Sequence, residues 1–121
     1  MATRRFEGKN VIVTGAGQGI GLAIAERFVD EGADVMLIGR RREPLQALVA
    51  QIEAGGGTAW LHPADVSDAP SVDAAVAAAH ERFGRIDVLV NNAGIAEEKD
   101  FLEIEDAGWD AIIATNLRGA F

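Results

Sequence analysis

Three short, almost uniformly apolar runs, Val11-Ile12-Val13-Thr14, Val35-Met36-Leu37-Ile38 and Ile86-Asp87-Val88-Leu89-Val90, constrain the fold most. A run without polar alternation suits a parallel strand covered on both faces better than an antiparallel strand with one wet face. Thr58-Ala59-Trp60-Leu61 is a weaker fourth run, placed third in the chain. Each run is followed by a helical pattern. Ile20, Ala23, Ile24 and Phe28 recur at helical spacing, as do Leu45, Leu48, Val49 and Ile52, and then Val72, Ala75, Val76, Ala79 and Phe83. Boundary residues agree: Gly32, Pro44, Gly55-Gly56-Gly57, a capping Asp68, and Gly84. Strands alternating with helices predict a doubly wound, parallel α/β sheet, Rossmann-like, with strand order 3-2-1-4 and helices on both faces. A last helix is expected over Glu103–Phe121, with Trp109, Ile112, Ile113, Asn116, Leu117 and Ala120 on one face.

The chain has 121 residues, enough for one domain over 1–121 and too few for two. It has no Cys, which excludes disulfides, thiolate metal sites and cysteine nucleophiles. A net charge of −8 does not suit a nucleic-acid partner. No apolar stretch is long enough for a signal-peptide core or a membrane span, so no membrane is expected and a cytoplasmic location is the default. His62 and His80 lack a carboxylate or second His at ligand spacing, so they are assigned to structure and no metal is expected.

The sharpest chemical signal is Thr14-Gly15-Ala16-Gly17-Gln18-Gly19-Ile20-Gly21, between the first strand and first helix. Glycines there let the backbone turn tightly and let a pyrophosphate approach a helix N-terminus, whose free N–H groups and dipole favour anions. The spacing G-x-G-x-x-G fails because position 20 is Ile; G-x-x-x-G-x-G, from Gly15, Gly19 and Gly21, fits. The plainer alternative is a flexible turn, but the flanking strand and helix are where phosphate binding needs them.

This glycine pattern after a Thr, together with Asn91-Asn92-Ala93-Gly94, Asp65-Val66 and Asn116, resembles the short-chain dehydrogenase/reductase family. The resemblance runs from Gly8 to Phe121 and covers the front half of the usual family domain. It implies that Gly15, Gly19 and Gly21 shape the pyrophosphate turn, with Gln18 and Ile20 against it. It implies that Asp65 accepts from the adenine amino group, with the Val66 backbone at the ring, and that Asn92, Ala93 and Gly94 line the ribose side. Asn116 would join the catalytic set, helping to hold a water in a proton relay; on its apolar stripe it is also expected to be a buried amide needing partners. Asp65 as a solvated loop acid, and Asn91 and Asn92 as turn formers, are the plainer alternatives.

In dinucleotide folds, an acid about 20 residues past the glycine turn binds the ribose of NAD, and Arg there accommodates the 2′-phosphate of NADP. Here the second strand runs into Gly39-Arg40-Arg41-Arg42, with no acid. Arg40 and Arg41 therefore point to NADP, with NAD less favoured; a solvated basic turn is the alternative. Gln18 departs from the Lys or Arg often found in NADP-dependent members.

The family's reaction needs a Tyr, a Lys four residues later and a Ser. The chain has no Tyr, and its lysines and serines are Lys9, Lys99, Ser67 and Ser71, on the wrong elements. The expectation is a domain incomplete at its C-terminus, truncated after the fourth strand and following helix and inactive alone. Two functions stay open. One is hydride transfer between the nicotinamide and a carbonyl or alcohol substrate, such as a 3-oxoacyl, keto or sugar-alcohol compound, by a protein that is a homo-oligomer when full length. The other is a non-catalytic nucleotide-binding or interaction module.

Overall fold

The computed structural model describes residues 4–121. Four parallel strands, β1 (Asn10–Thr14), β2 (Asp34–Gly39), β3 (Ala59–Pro63) and β4 (Val88–Val90), form one sheet in the order β3-β2-β1-β4. Helices α1 (Gly19–Asp30), α2 (Arg42–Ala54) and α3 (Ala69–Phe83) make the crossovers. A 3-10 turn (Phe101–Glu103), α4 (Asp106–Ile112) and a π-helical segment (Ile113–Arg118) follow β4. The strand order and the parallel pairing are those expected.

Side chains alternate across each strand, and the two faces take different helices. Val11, Val13, Val35, Leu37 and Ala59 pack with Ala25 of α1 and Leu45, Leu48 and Ile52 of α2. Ile12, Met36 and Ile38 face Ala75 and Ala79 of α3, so the helix meets the sheet on alanines. The Trp60–Phe83 edge-to-face pair, with centroids 5.3 Å apart, fills the end of that layer. Burying each Val, Leu or Ile contributes roughly 1.5–3 kcal/mol, which makes these two layers the main source of stability. The expected boundary chemistry is present: Asp68 accepts from the Ser71 N–H, and Gly84 ends α3 at φ 70°.

Several sequence expectations need correction. In α1 Ile24 and Phe28 of the expected stripe pack half-buried against the core, but the fully buried residues are Gly21 and Ala25, Ala23 is exposed and Ile20 is 74% exposed. Ile20 lies in the first turn, at the mouth of a cleft, while the small residues let the helix sit against the β1 turn. Val76 of α3 is also exposed. β3 begins and ends later than expected, and β4 is shorter than Ile86–Val90. Ahead of β4, Asp87 donates its N–H to the Asn10 carbonyl and accepts the Asn10 N–H on Oδ2 (2.9 Å each). β4 was expected to be covered on both faces, yet Leu89 is 54% exposed at this edge of the sheet. The single last helix is instead α4 running on into the π-helical segment, and Trp109, Ile113 and Leu117 share an exposed face.

Candidate functional site

Parallel sheets place ligand crevices at the carboxyl ends of their strands, where the order reverses. Here the reversal lies between β1 and β4, and a cleft of about 630 Å³ opens at those strand ends. Gly15, Gln18, Gly19 and Ile20 line it from the first turn, Arg40 and Arg41 from the end of β2, Asp65 and Val66 from the end of β3, and Asn92, Ala93 and Gly94 from the end of β4. Eleven residues read from separate motifs thus share one cavity.

The turn after β1 is built by close approach. Gly15 has φ 64°, and a Cβ there would stand 2.9 Å from both the Ala93 Cα and the Asn92 Nδ2. Asn92 Nδ2 donates to the Gly15 carbonyl at 3.2 Å. Gly21 does not line the cleft; it supports the turn from below, because a Cβ on it would lie 2.1 Å from the Gly15 carbonyl oxygen. The glycine is what lets α1 start directly under the loop.

Thr14 ties this turn to β4. Its hydroxyl accepts from the N–H groups of Asn92 and Ala93 at 3.0 Å each and donates to the Val90 carbonyl at 3.3 Å. With residue exposure of 7%, it is a buried clamp whose role sequence reasoning left unassigned. Its position directly before the first glycine was the available signal. Ile38 and Gly39 of β2, Ile95 after Gly94, and Thr115 of the π-helical segment also line the cleft and were missed. The first three were findable as strand-end neighbours; Thr115 had no signal of its own.

The electrostatics of the cleft favour an anion at two places. Gln18 caps α1 without a side-chain bond, and no acid stands in the first turn, so the positive end of the helix faces the cleft unneutralised. Apart from its chain neighbours and its own helix backbone, nothing lies within 4 Å of a Cβ placed on Gly19, so the surface over the helix start is open. Arg40 and Arg41 are exposed, and among the described residues neither forms an ion pair. Across the cleft, Asp65 Oδ1 accepts from the Ser67 hydroxyl (2.6 Å) and N–H (2.9 Å). Those two bonds, and then the charge of Arg40, hold the Asp65 carboxyl below its usual range. The carboxylate keeps Oδ2 for a donor from a ligand.

Asn116 is not the buried amide expected from the apolar stripe. It is exposed, and both ends of its amide serve one residue: Oδ1 accepts from the Ile95 N–H and Nδ2 donates to the Ile95 carbonyl, each at 2.8 Å. The π-helical turn takes it off the stripe and aims it at the loop after β4. His62 packs in the sheet layer with Nδ1 buried and without a partner among the described residues. Among those residues no group of three or more His, Asp or Glu side chains is placed to hold a metal, and no helix is long and apolar enough to cross a membrane.

The chain belongs to the short chain dehydrogenase family, which it matches over residues 9–121. It is 48% identical over 108 residues to the short-chain reductase protein NovJ of Streptomyces niveus, covering 89% of this chain and 41% of that protein. A short chain dehydrogenase from Burkholderia cenocepacia J2315, solved in complex with NADP, superposes with TM-score 0.90 at 41% identity, over 95% of this chain and 47% of that one. A 3-ketoacyl-(acyl-carrier-protein) reductase from Brucella melitensis, complexed with NADH, gives TM-score 0.88 at 39% identity, over 94% and 46%. The chain spans under half the length of each of these relatives.

Proposed function

We propose that the protein is an oxidoreductase that holds NADP(H) in preference to NAD(H) and acts on a small carbonyl or alcohol compound. The observation that carries this is the end of β2, where Gly39 gives way to Arg40 and Arg41 at the cleft and no acid ends the strand. One solved relative holds NADP and another NADH, so family membership leaves the choice to those residues. When bound, the nicotinamide supplies hydride transfer.

The chain's own residues do the rest of the binding. The first turn of α1 would receive the pyrophosphate on N–H groups freed by Gly15 and Gly19, with Gln18 and Ile20 beside it. Arg40 and Arg41 would bracket a 2′-phosphate, and Asp65 Oδ2 would accept from the adenine amino group, with the Val66 backbone alongside. Asn92, Ala93 and Gly94 would form the wall toward the nicotinamide ribose. Asn116 joins the catalytic set as a positioning residue: by holding the Ile95 N–H and carbonyl it fixes the loop that follows Gly94. A cytoplasmic location goes with this reading, and the exposed apolar face of Trp109, Ile113 and Leu117 supports a homo-oligomer.

The 121 residues include no Tyr, and none of Lys9, Lys99, Ser67 and Ser71 lines the cleft. No phenol is there to donate or accept the substrate proton, so these residues by themselves bind cofactor and turn over no substrate. A non-catalytic nucleotide-binding module is the second reading, since the cleft alone serves it equally well. Equilibrium titration with NADPH, competed by adenosine 2′,5′-bisphosphate, tests the binding that both readings share. Saturable, competed binding is expected; no saturable binding would overturn both.

A further inference from the structure

The pole of the sheet opposite the cleft carries a buried charge. Glu31, directly after α1, is 2% exposed. A carboxylate so placed has to be answered by the chain rather than by water. Arg27, one turn back in α1, donates from Nε to Oε2 at 3.0 Å. Arg5, from the segment that leads into β1, donates from Nε to Oε1 and from Nη2 to Oε2, the latter at 2.7 Å. That segment crosses the end of α1 as a strap. The Phe6 N–H donates to the Glu31 carbonyl at 2.9 Å, and the Phe6 ring meets Phe28 edge-to-face with centroids 4.8 Å apart. Gly32, at φ 96°, lets the strap pass close by: a Cβ there would stand 3.0 Å from Glu7 Cα. The Lys9 carbonyl then accepts the Asp34 N–H at 3.0 Å, where the strap joins the sheet.

Strap and sheet are held by different means. The sheet rests on two apolar layers. The strap rests on one ring pair, one close backbone approach and the bonds gathered at Glu31. Of these, the two-pronged, charge-assisted contact from Arg5 is the strong kind. The Arg5 side chain is itself 61% exposed, so little besides Glu31 and the Phe6 ring holds it in place. A segment with so few buried contacts opens at lower free energy than the core beneath it. We propose that residues 4–9 form a strap that lifts from α1 as a unit while the sheet stays folded, with the Arg5–Glu31 pair as its latch. The strap lies away from the cleft, so it stands or falls separately from the cofactor site.

The test is amide hydrogen exchange, followed by NMR on the whole chain at neutral pH in small steps of urea. The Phe6 N–H reports the strap, and the N–H of fully buried Leu37 in β2 reports the sheet. In the wild-type protein the Phe6 amide is expected to be protected, yet to exchange faster than Leu37. It is also expected to respond only weakly to urea, because lifting a strap exposes little surface. Glu31→Gln sets an amide NH2 against a guanidinium. It is expected to lower Phe6 protection about ten-fold or more, with Leu37 still the better protected of the two. Arg5→Lys keeps the charge and loses the fork, and is expected to act in the same direction by a smaller factor. That milder variant carries the test if Glu31→Gln does not fold. Equal protection and equal urea slopes at Phe6 and Leu37 would make strap and sheet one unit and overturn the proposal. An unprotected Phe6 amide in the wild type would show the strap undocked and overturn it too. Phe6 protection unchanged by the variants would remove the Arg5–Glu31 pair as the latch.

Discussion

Asn116 grips Ile95 through the two peptide groups that flank its Cα, accepting its N–H and donating to its carbonyl at 2.8 Å each. The pairing joins the π-helical segment to the loop after β4, the two elements that close one side of the cleft. Asn116→Ala removes both bonds and is expected to cost about 1 kcal/mol, because water can replace them at this exposed site. Asn116→Asp is expected to cost more, since it puts a carboxylate oxygen against the Ile95 carbonyl. Urea unfolding midpoints check the order: equal stability of Asp and Ala variants would contradict it.

Thr14→Val leaves the N–H groups of Asn92 and Ala93 without their acceptor in a buried setting. Unsatisfied buried donors cost about 1–3 kcal/mol each. A loss of that size is expected in thermal melts, with Thr14→Ser restoring most of it. A Val variant as stable as wild type would remove Thr14 from the role of clamp.

Gly21→Ala would force a Cβ to 2.1 Å from the Gly15 carbonyl oxygen, a backbone atom that can move only with the whole turn. The expected outcome is destabilisation of about 1–3 kcal/mol. NADPH affinity is expected to fall at least about ten-fold, as the turn and α1 separate. Circular dichroism and titration read the two effects separately; intact NADPH affinity would show that the turn is not shaped by this contact.

Most of the sheet and most of the cleft were legible in the sequence, for a physical reason. Strands buried on both faces must be apolar throughout, and a glycine turn that meets a helix must use glycines where a Cβ would collide. Gly15 stands out for that reason, whereas Asp65 and Asn92 are marked only by the family resemblance. What sequence could not give was set by tertiary packing. The face of α1 takes in Gly21 and Ala25 beside Ile24 and Phe28 because the helix start lies under the Gly15 carbonyl. The break of the last helix into α4 and a π-helical turn leaves no mark in apolar periodicity, so Asn116 read as a stripe residue and Thr115 went unread.

Glu31 supplies a pH dependence away from the cleft. Its side chain is 3% exposed and is held by Arg5 and by Arg27 Nε at 3.0 Å. Hydrogen bonds from Arg5 and then Arg27 hold its carboxyl down to about 2, from an ordinary 4.5. A carboxyl depressed in the folded state contributes stability that is complete above the ordinary value and lost as pH falls from there through about 2. The melting-temperature gap between wild type and Glu31→Gln is therefore expected to be constant near neutral pH and to shrink below about pH 4.5. A gap that grew on acidification would have the wrong sign.

The most direct measurement is a paired titration of the wild-type protein and the Arg40→Ala/Arg41→Ala variant with NADPH and with NADH. The predicted result is tighter binding of NADPH by wild type, by about ten-fold or more, as expected for charge-assisted contacts to a phosphate. In the variant that advantage disappears while NADH affinity is unchanged. Equal affinity for the two cofactors in wild type, or a variant that still prefers NADPH, would contradict an NADP site at the end of β2.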